Sequence, residues 1–340
     1  MKVTEIIKKS LDGGELSVEE IAALFCVPLF SDESGLVLAA SRRKSEAASE
    51  GSAEIHGQVG MNIAPCPKNC KFCAFAAVNG VFQDKKELPL EEVIQRAKNF
   101  ERDGANAVFL MATGDYPFAK FAERSREVRR ALQPDTIMIA NVGDFSYDEA
   151  KTLKEAGYAG VYHAVRLGEG KDTSIPVERR METIRHAKEV GLRVGTCLEP
   201  VGTEHSIQEL VEKTVITREI RPAYSGAARR IPLPGTSLAA HGIVSEARMA
   251  HILAVVRLAL GYDTPANCTH EPNVAGAAAG ANLFWAESGS NPRDTHEETD
   301  AQRGMTTKIC RVYFEEAEWN TLSGPSRFYR EHSYTQNKIG

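Results

Sequence analysis

The chain has 340 residues, 42% of them hydrophobic, and this length suits one α/β barrel of about 250 residues with extensions at its ends. Its formal net charge of −5 at pH 7 is mild, which argues against a dedicated nucleic-acid surface. The sequence contains neither an apolar run near the ~20 residues of a membrane helix nor a signal peptide, so we expect a cytoplasmic protein without a membrane partner.

Residues 1–55 are predicted to form a helical N-terminal extension. The segment Ser17-Val-Glu-Glu20 matches a capping box, in which a serine and a glutamate satisfy free amides of the first helical turn. We expect this helix to run to about Phe25 and a second helix to cover about 35–50.

From residue 56 onward, short β-rich segments alternate with amphipathic segments. Strands are predicted near 57–63, 107–112, 136–141, 159–165, 192–198, 225–231, 265–269 and 282–286. Helices are predicted near 89–103, 117–132, 146–156, 177–190, 206–220 and 244–260. This alternation implies parallel strands joined by right-handed crossovers. We therefore predict an α/β protein with a (βα)8 TIM-type barrel over residues 56–290 and a C-terminal tail, 291–340, packed on the barrel.

Three cysteines, Cys66, Cys70 and Cys73, follow the first predicted strand. Their spacing also fits one face of a helix, but Pro65 and Pro67 disfavour a helix there. A structural zinc site, as in a zinc-binding interaction protein, would need a fourth ligand, commonly from a second C-x-x-C pair that this chain lacks. Three thiolates can instead hold a four-iron cluster and leave one iron without a protein ligand.

The spacing C-x3-C-x2-C, with Phe72 before the last cysteine, resembles the signature of the radical S-adenosylmethionine (radical SAM) superfamily. The resemblance implies a [4Fe-4S] cluster on Cys66, Cys70 and Cys73, with SAM chelating the open iron. It further implies a reductant such as ferredoxin or flavodoxin, whose electron breaks a carbon–sulfur bond of SAM to give a 5'-deoxyadenosyl radical.

Other segments resemble the SAM-binding elements of the subgroup with biotin synthase, HydE and methylornithine synthase. The resemblance implies that the segment around Thr113 meets the methionine amino group through backbone carbonyls, since the usual Gly-Gly-Glu is absent. Arg166 would grip the SAM carboxylate, Glu169 the ribose, and Ile231 would pack on adenine. The alternative for Glu169 is a surface ion pair in a loop.

Polar segments follow the predicted strands at the end where such barrels carry their active sites. Beyond the cysteine loop these are Met111-Ala-Thr-Gly114, Asn141-Val-Gly-Asp144, His163-Ala-Val-Arg-Leu-Gly-Glu169, Thr196-Cys-Leu-Glu-Pro200, Arg229-Arg-Ile-Pro-Leu-Pro-Gly-Thr236 and Asn267-Cys-Thr-His-Glu-Pro272. Arg229 or Arg230 can anchor an anionic group, but adjacent strand residues point to opposite faces, so at most one is expected to face the cavity.

Cys197 and Cys268 end the fifth and seventh predicted strands, and in a barrel both can point inward and meet, with Glu199 and His270 nearby. Two interpretations stay open: inert packing, as is common for free cysteines, and a catalytic or metal-binding role at a strand end. As metal ligands they would help to hold an auxiliary iron–sulfur cluster that donates sulfur; alternatively one thiol delivers hydrogen or holds substrate. Cys310 could join these ligands from the tail, but its segment is predicted to be helical and core packing is expected there, and Cys26 is expected to pack in the core or in a helix interface.

The resulting hypothesis is a radical SAM sulfurtransferase that inserts sulfur at an unactivated aliphatic C–H. The chain resembles the biotin-synthase-like subunit of two-protein lipoyl synthases, which implies an octanoylated carrier protein and a second radical SAM protein as partners. The main rival is an enzyme like HydE or methylornithine synthase, which acts on a small molecule without an auxiliary cluster. A biotin synthase variant is less favoured, because Ile139 stands where that family has a cluster cysteine.

Overall fold

The protein is represented by a computed structural model that describes residues 2–329. Its helices are α1 (Val3–Leu11), α2 (Val18–Phe25), α3 (Asp32–Ala48), α4 (Leu90–Arg102), α5 (Phe118–Ala131), α6 (Tyr147–Glu155), α7 (Val177–Glu189), α8 (Ile207–Ile220), α9 (Glu246–Ala259), α10 (Val274–Ala278) and α11 (Thr307–Glu316). Its strands are β1 (Ser52–Gly60), β2 (Asn62–Ile63), β3 (Lys86–Glu87), β4 (Ala107–Met111), β5 (Ile137–Asn141), β6 (Tyr158–Tyr162), β7 (Arg193–Gly195), β8 (Leu198–Val201), β9 (Tyr224–Arg229), β10 (Ala266–Cys268), β11 (Leu283–Gly289) and β12 (Asn320–Thr321). Across that part of the chain, no helix combines the length and apolar character that crossing a membrane requires.

Eight parallel strands close into a barrel in the order β1, β4, β5, β6, β7, β9, β10 and β11, with β11 pairing back to β1. The predicted (βα)8 fold is therefore confirmed. The fifth predicted strand is split into β7 and β8. The first strand begins at Ser52, earlier than predicted, because its first half carries Glu54 and His56 and does not look like a core strand in sequence. Both side chains are nevertheless fully buried.

The N-terminal helices pack on the outside of the barrel, with α3 along α9. The capping box that opens α2 is confirmed: Ser17 Oγ accepts from the Glu20 amide and Glu20 Oε2 accepts from the Ser17 amide. The expectation for Cys26 was wrong, since this residue caps the C-terminus of α2 with an exposed side chain. The chain turns there, so the buried stripe of α2 ends one residue earlier, at Phe25.

Aromatic side chains fill the N-terminal end of the barrel. Phe109 and Trp285 meet there edge to face, with ring centroids 4.4 Å apart. Phe328 and Tyr329 enter this interior cluster from the C-terminal segment, and the Arg327 amide donates to Glu54 Oε1 at 2.7 Å. This end of the barrel is thus a packed core. The predicted tail residues 330–340 lie outside the described residues, and the domain limits at 55/56 and 290/291 stay a prediction.

Candidate active site

A cavity opens at the C-terminal ends of the barrel strands, and the empty space between its walls, including space open to solvent, is about 1170 Å³. Each predicted strand-end segment contributes to its wall, as does the stretch after β11. Its polar and sulfur-containing lining includes Cys66, Cys70, Cys73, Thr113, Asn141, Asp144, Arg166, Arg180, Glu199, Arg229, Arg230, His270, Glu287, Asn291 and Arg293.

Cys66, Cys70 and Cys73 lie in a loop after β2 and not in a helix, as the flanking prolines predicted. The Cys66 amide donates to the Phe75 carbonyl at 2.6 Å, and the Cys73 amide donates to the Cys70 carbonyl at 2.9 Å. Asn69 adopts a left-handed conformation with φ of +49°, which asparagine tolerates better than most residues. The loop therefore wraps on itself so that all three cysteines border the cavity.

Main-chain hydrogen bonds tie this cysteine loop to two other loops at the same end of the barrel. The Lys71 amide donates to the Asp172 carbonyl at 2.8 Å, and the Ser174 amide donates to the Lys68 carbonyl at 2.9 Å. On the other side, the Ala74 amide donates to the Pro292 carbonyl at 2.7 Å. The loop after β6 and the stretch after β11 thus hold the cysteines in place.

The three thiols fit a cluster better than a single metal ion. Within residues 2–329 they do not form a group whose sulfur atoms all lie within 4.8 Å of one another, whereas one zinc ion would draw its thiolates to about 3.8 Å apart. In a cluster each thiolate binds its own iron. Burial raises the pKa of Cys66 to about 11 and that of Cys73 to about 12, so these side chains are not placed as acid–base groups. Burial also raises the pKa of Cys70, although Arg166 and Arg180 oppose the shift.

Arg166 lines the cavity, but Glu169 does not. Arg166 Nε pairs with Glu199 Oε1 at 3.2 Å, which leaves guanidinium donors for a ligand. The Glu169 carboxylate accepts from the Arg166 amide at 3.1 Å and from Thr173 Oγ1 at 2.6 Å, and it pairs with Arg180 Nε at 3.1 Å. The loop folds the Glu169 side chain behind the cavity wall, so its ion pair with Arg180 is buried and is not the surface ion pair that the sequence offered as an alternative. The ribose contact of Glu169 stays a prediction.

Arg180, which the sequence analysis did not single out, takes a place in that wall. Arg180 lies in the first turn of α7, and the residues around it form no sequence motif that would predict a role in the site. Arg180 Nη1 approaches Asp144 Oδ1 at 3.3 Å, and His163 Nε2 lies 3.0 Å from the same oxygen. Burial lowers the pKa of His163 to about 4, against the opposing hydrogen bond that its ring donates to Asp144. These side chains form a buried polar cluster under the site.

Thr113 and Ile231 both line the cavity at the positions where a SAM contact was predicted. Asn62 clamps the threonine on two sides: its Nδ2 donates to Thr113 Oγ1 at 2.9 Å, and its Oδ1 accepts from the Thr113 amide at 3.0 Å. The next residue, Gly114, packs closely on Gly143. A Cβ atom on Gly143 would lie only 2.4 Å from the Gly114 carbonyl oxygen. The main chain of this segment is therefore held rigidly at the cavity edge, and its SAM contacts stay a prediction.

Arg229 and Arg230 both line the cavity, contrary to the expectation that only one would. The strand β9 ends at Arg229, so the alternation of strand faces does not extend to Arg230. Each guanidinium is already paired, Arg229 with Glu271 and Arg230 with Glu204. A substrate anion would therefore compete with a glutamate at either position.

The barrel brings Cys197 and Cys268 together, as their strand positions indicated: the two Sγ atoms lie 2.9 Å apart, and both residues are buried. Burial raises the pKa of Cys197 well above its usual range. For Cys268, hydrogen bonds from Cys197 and His270 and the charge of His270 outweigh burial and lower the pKa to about 6. Cys310 lies apart, buried in α11 with its thiol 3.4 Å from the Trp285 carbonyl, as expected for core packing. The catalytic and metal-binding roles of the pair stay predictions.

The geometry can be compared with known proteins. Residues 64–214 match the model of the Radical SAM superfamily. The biotin synthase of Desulforudis audaxviator is 28% identical over 271 residues, which cover 77% of this chain and 81% of that protein. The biotin synthase of Geobacter metallireducens is 28% identical over 266 residues, 75% of this chain and 79% of that protein.

Two solved structures share the fold. Methylornithine synthase (PylB) superposes with a TM-score of 0.77 at 16% identity, over 95% of this chain and 98% of that chain. The FeFe-hydrogenase maturase HydG gives a TM-score of 0.74 at 18% identity, over 94% of this chain and 75% of that chain. Residues 64–214 are therefore similar to the Radical SAM superfamily, and the chain is similar in sequence to biotin synthases and in fold to methylornithine synthase and HydG.

Proposed function

We propose that this protein is a radical SAM sulfurtransferase that inserts sulfur at an unactivated aliphatic C–H. The proposed substrate is an octanoyl chain on a carrier protein, in lipoyl biosynthesis, with a second radical SAM protein as partner. The supporting observation is the contact between the Cys197 and Cys268 thiols, 2.9 Å apart beside the cavity that the cysteine loop borders. Sequence similarity to biotin synthases supports the same class of reaction.

The residues of the cavity have distinct roles in this proposal. Cys66, Cys70 and Cys73 would hold the [4Fe-4S] cluster; with SAM and an electron from a reductant, that cluster supplies the radical that removes hydrogen from the substrate. Arg166, oriented by Glu199, offers a guanidinium whose forked donors suit the SAM carboxylate.

In this proposal, two further parts of the cavity wall position the rest of SAM. The main chain at Thr113 is held by Asn62 and offers carbonyl oxygens to the methionine amino group. Ile231 offers an apolar surface for adenine. Walls that keep water away from the reacting carbon protect a reactive species from side reactions.

Cys197 and Cys268 would anchor the sulfur-donating group in this scheme. The residue that connects them to the cavity is His270, which lines the cavity wall and stacks on Trp285 with ring centroids 5.3 Å apart. An auxiliary iron–sulfur cluster on the two cysteines is one form that such a group can take. In this arrangement only the side chain of His270 would separate the donated sulfur from the substrate cavity.

Sulfur transfer can be tested directly with anaerobically reconstituted protein, SAM, a reductant, the partner enzyme and an octanoylated carrier domain. We expect SAM cleavage and a gain in carrier mass that corresponds to added sulfur. The double variant C197A/C268A should still cleave SAM but leave the carrier mass unchanged. Substrate-dependent SAM cleavage by the wild type without any sulfur gain would contradict the proposal.

A second candidate is rearrangement or C–C or C–S chemistry on a small molecule without a sulfur donor. It is favoured by one observation: both thiols are buried in an aromatic cluster with Tyr224 and Trp285, and neither lines the cavity. In that case C197A/C268A should retain the substrate-dependent SAM cleavage of the wild type, and no product should gain sulfur.

A further inference from the structure

A second group of metal-ligand side chains lies apart from the cysteine loop. The thiols of Cys197 and Cys268 and a ring nitrogen of His270 all lie within 4.8 Å of one another. Among residues 2–329, no other three histidine, cysteine or acidic side chains bring their ligand atoms this close together. The sequence predicted that His270 lies near the cysteine pair but not that it is a third ligand, because the position of its ring depends on how β10 continues into its loop.

Strand order explains how the group forms. Cys268 ends β10 and Cys197 follows β7, and these two strands pair with the two edges of β9. Gly226 on β9 lies opposite Cys268, and a Cβ at this glycine would come within 2.0 Å of the Cys268 carbonyl oxygen. The close approach that a glycine permits here brings cysteines from two non-adjacent strands to one point inside the barrel.

The donor set is one that proteins use for a single metal ion. Zinc binds thiolate sulfur at about 2.3 Å and imidazole nitrogen at about 2.0–2.1 Å, so tetrahedral ligand atoms lie about 3.5–3.8 Å apart. The group spans this range, from 2.9 Å between the sulfurs to at most 4.8 Å overall. Small side-chain rotations would therefore complete a coordination sphere.

The surroundings of His270 also suit a metal ligand. Its Nε2 is buried and has no hydrogen-bond partner in the described part of the chain. Glu199 Oε2 lies 3.7 Å from that nitrogen, just beyond hydrogen-bond distance. Metal-binding histidines almost always direct their second nitrogen to a carboxylate or carbonyl, which fixes the ring orientation. The Glu199 side chain lies where it can serve as this carboxylate.

Packing favours one ion over a cluster. The side chains of Cys197 and Cys268 are buried among aromatic rings, including those of Tyr224 and Trp285. The cavity does not extend to either thiol, and His270 is the one member of the group that lines it. Several irons and sulfides would have to displace these rings, whereas one ion fits between the ligand atoms already present.

We propose that Cys197, Cys268 and His270 form a second metal site that binds one divalent transition-metal ion, Zn²⁺ or Fe²⁺, beside the cavity that His270 lines, and that a further ligand completes its fourth position. Thiolate and imidazole ligands suit these ions, and a soft sulfur ligand such as sulfide or a thiolate suits the fourth position. The assignment of sulfur to that position rests on the proposed sulfur-transfer function; the metal site itself does not.

Metal binding at this site can be measured separately from metal binding at the cysteine loop, by removing the three loop cysteines. The full-length variant C66S/C70S/C73S is titrated anaerobically with Co²⁺, whose absorption reports thiolate ligands, and metal content is measured by mass spectrometry with Zn²⁺ and with Fe²⁺. We expect one ion per chain and thiolate-to-cobalt absorption. Adding C197S and C268S should abolish both signals, whereas adding C26S, an exposed cysteine, should leave them unchanged.

If the loss of both buried thiols prevents folding, a milder variant still tests the metal site. His270→Gln keeps both cysteines and should lower the affinity for Co²⁺ by more than about tenfold, since even loss of a residue that only orients a ligand costs 10–100-fold. Unchanged affinity in a folded His270→Gln protein would overturn the proposal. So would the absence of bound metal in C66S/C70S/C73S, or several irons with matching acid-labile sulfide, which would indicate a cluster.

Failure of this site and failure of the proposed function can be told apart. One bound ion without sulfur transfer to the octanoylated carrier would leave the metal site standing and contradict the sulfurtransferase. Sulfur transfer by a wild-type protein that holds no ion at Cys197, Cys268 and His270 would support the function and contradict the metal site.

Discussion

At the scale of single residues, the surroundings of each side chain in the candidate site set its protonation state and therefore whether it can act as a ligand. Burial raises the pKa of each of the three thiols of Cys66, Cys70 and Cys73 and so holds them protonated without a metal. A buried thiol becomes a good ligand once a metal replaces its proton. The cysteine loop is therefore suited to holding a cluster.

Replacing Cys70 by alanine should remove a cluster ligand. We expect the reconstituted variant to lose about four irons per chain and SAM cleavage, because three thiolates are needed to hold a cluster with one open iron. Iron analysis and assay of 5'-deoxyadenosine measure both. Cys26→Ala changes an exposed cysteine far from the loop and should keep the iron and the activity of the wild type.

Replacing Arg166 by lysine should weaken SAM binding. Lysine keeps the charge but loses the forked donors that match a carboxylate, and a hydrogen bond to a charged group contributes about 1.5–3 kcal/mol. We therefore expect the dissociation constant for SAM to rise roughly ten- to a hundredfold, measured by equilibrium binding to the reconstituted protein. Arg126→Lys, on the exposed face of α5, is the control, and an equal effect there would exclude a specific contact at Arg166.

At the scale of secondary-structure elements, strand ends position the chemistry and their supports lie one element away. The segment after β4 is held by Asn62 of β2 and by the loop after β5, and Arg180 of α7 is held by the loop after β6. Close main-chain packing and buried polar pairs therefore decide the geometry of the cavity wall. Two predictions follow from these supports.

Replacing Gly143 by alanine should displace the segment that ends in Gly114. The new Cβ would lie 2.4 Å from the Gly114 carbonyl oxygen, which is main chain and cannot rotate away. Overpacking of this kind costs about 1–3 kcal/mol, and we expect weaker SAM binding together with lower stability. Gly35→Ala, in α3 with nothing within 4 Å, should be neutral or slightly stabilising. Unchanged SAM affinity in Gly143→Ala would mean that this segment does not contact SAM.

His163 should make the stability of the apo-protein pH-dependent. Burial lowers its folded-state pKa from 6.5 to about 4, so between these values the unfolded chain binds a proton that the folded protein excludes. Stability is therefore lost as the pH falls below 6.5. Between about pH 7.5 and about pH 5 we expect the unfolding free energy to drop by about 2 kcal/mol from this group. Urea unfolding of His163→Asn should lack this component, and an identical pH profile would contradict the assignment.

At the scale of the whole molecule, the two ends of the barrel have opposite characters. One end is an open cavity lined by sulfur and charge, and the other is closed by aromatic side chains that include Phe328 and Tyr329 from the C-terminal segment. A packed floor resists deformation and supports the residues above it. The C-terminal segment thus contributes to the interior of the barrel and not only to its surface.

Replacing Phe328 by alanine should destabilise the entire protein. Its ring is 1% exposed and lies beside His56 at the barrel floor, and truncation of a buried phenylalanine costs about 3–5 kcal/mol. Denaturant unfolding followed by circular dichroism measures the loss. Phe30→Ala, whose ring is 88% exposed, should change the unfolding free energy by less than about 0.5 kcal/mol. Similar values for both variants would contradict a structural role of the C-terminal segment.

The barrel could be predicted from the amino-acid sequence, because strand and helix periodicities are local signals that each element carries within its own residues. The sequence also determined the cysteine loop, since Pro65, Pro67 and three closely spaced thiols define a turn and a ligand set without help from the rest of the chain. The inward meeting of Cys197 and Cys268 followed once the barrel was assumed, because Cys268 ends one strand of the sheet and Cys197 comes shortly after the end of another.

Contacts between side chains that are distant in sequence became known only from the folded chain. It joined His270 to two cysteines 71 residues apart, turned Glu169 toward Arg180, and placed Phe328 inside the barrel. Such contacts form when separate strands and loops converge, and no periodicity along the chain records them. Burial and charge in the assembled interior, which set the state of each thiol and imidazole, likewise exist only after folding.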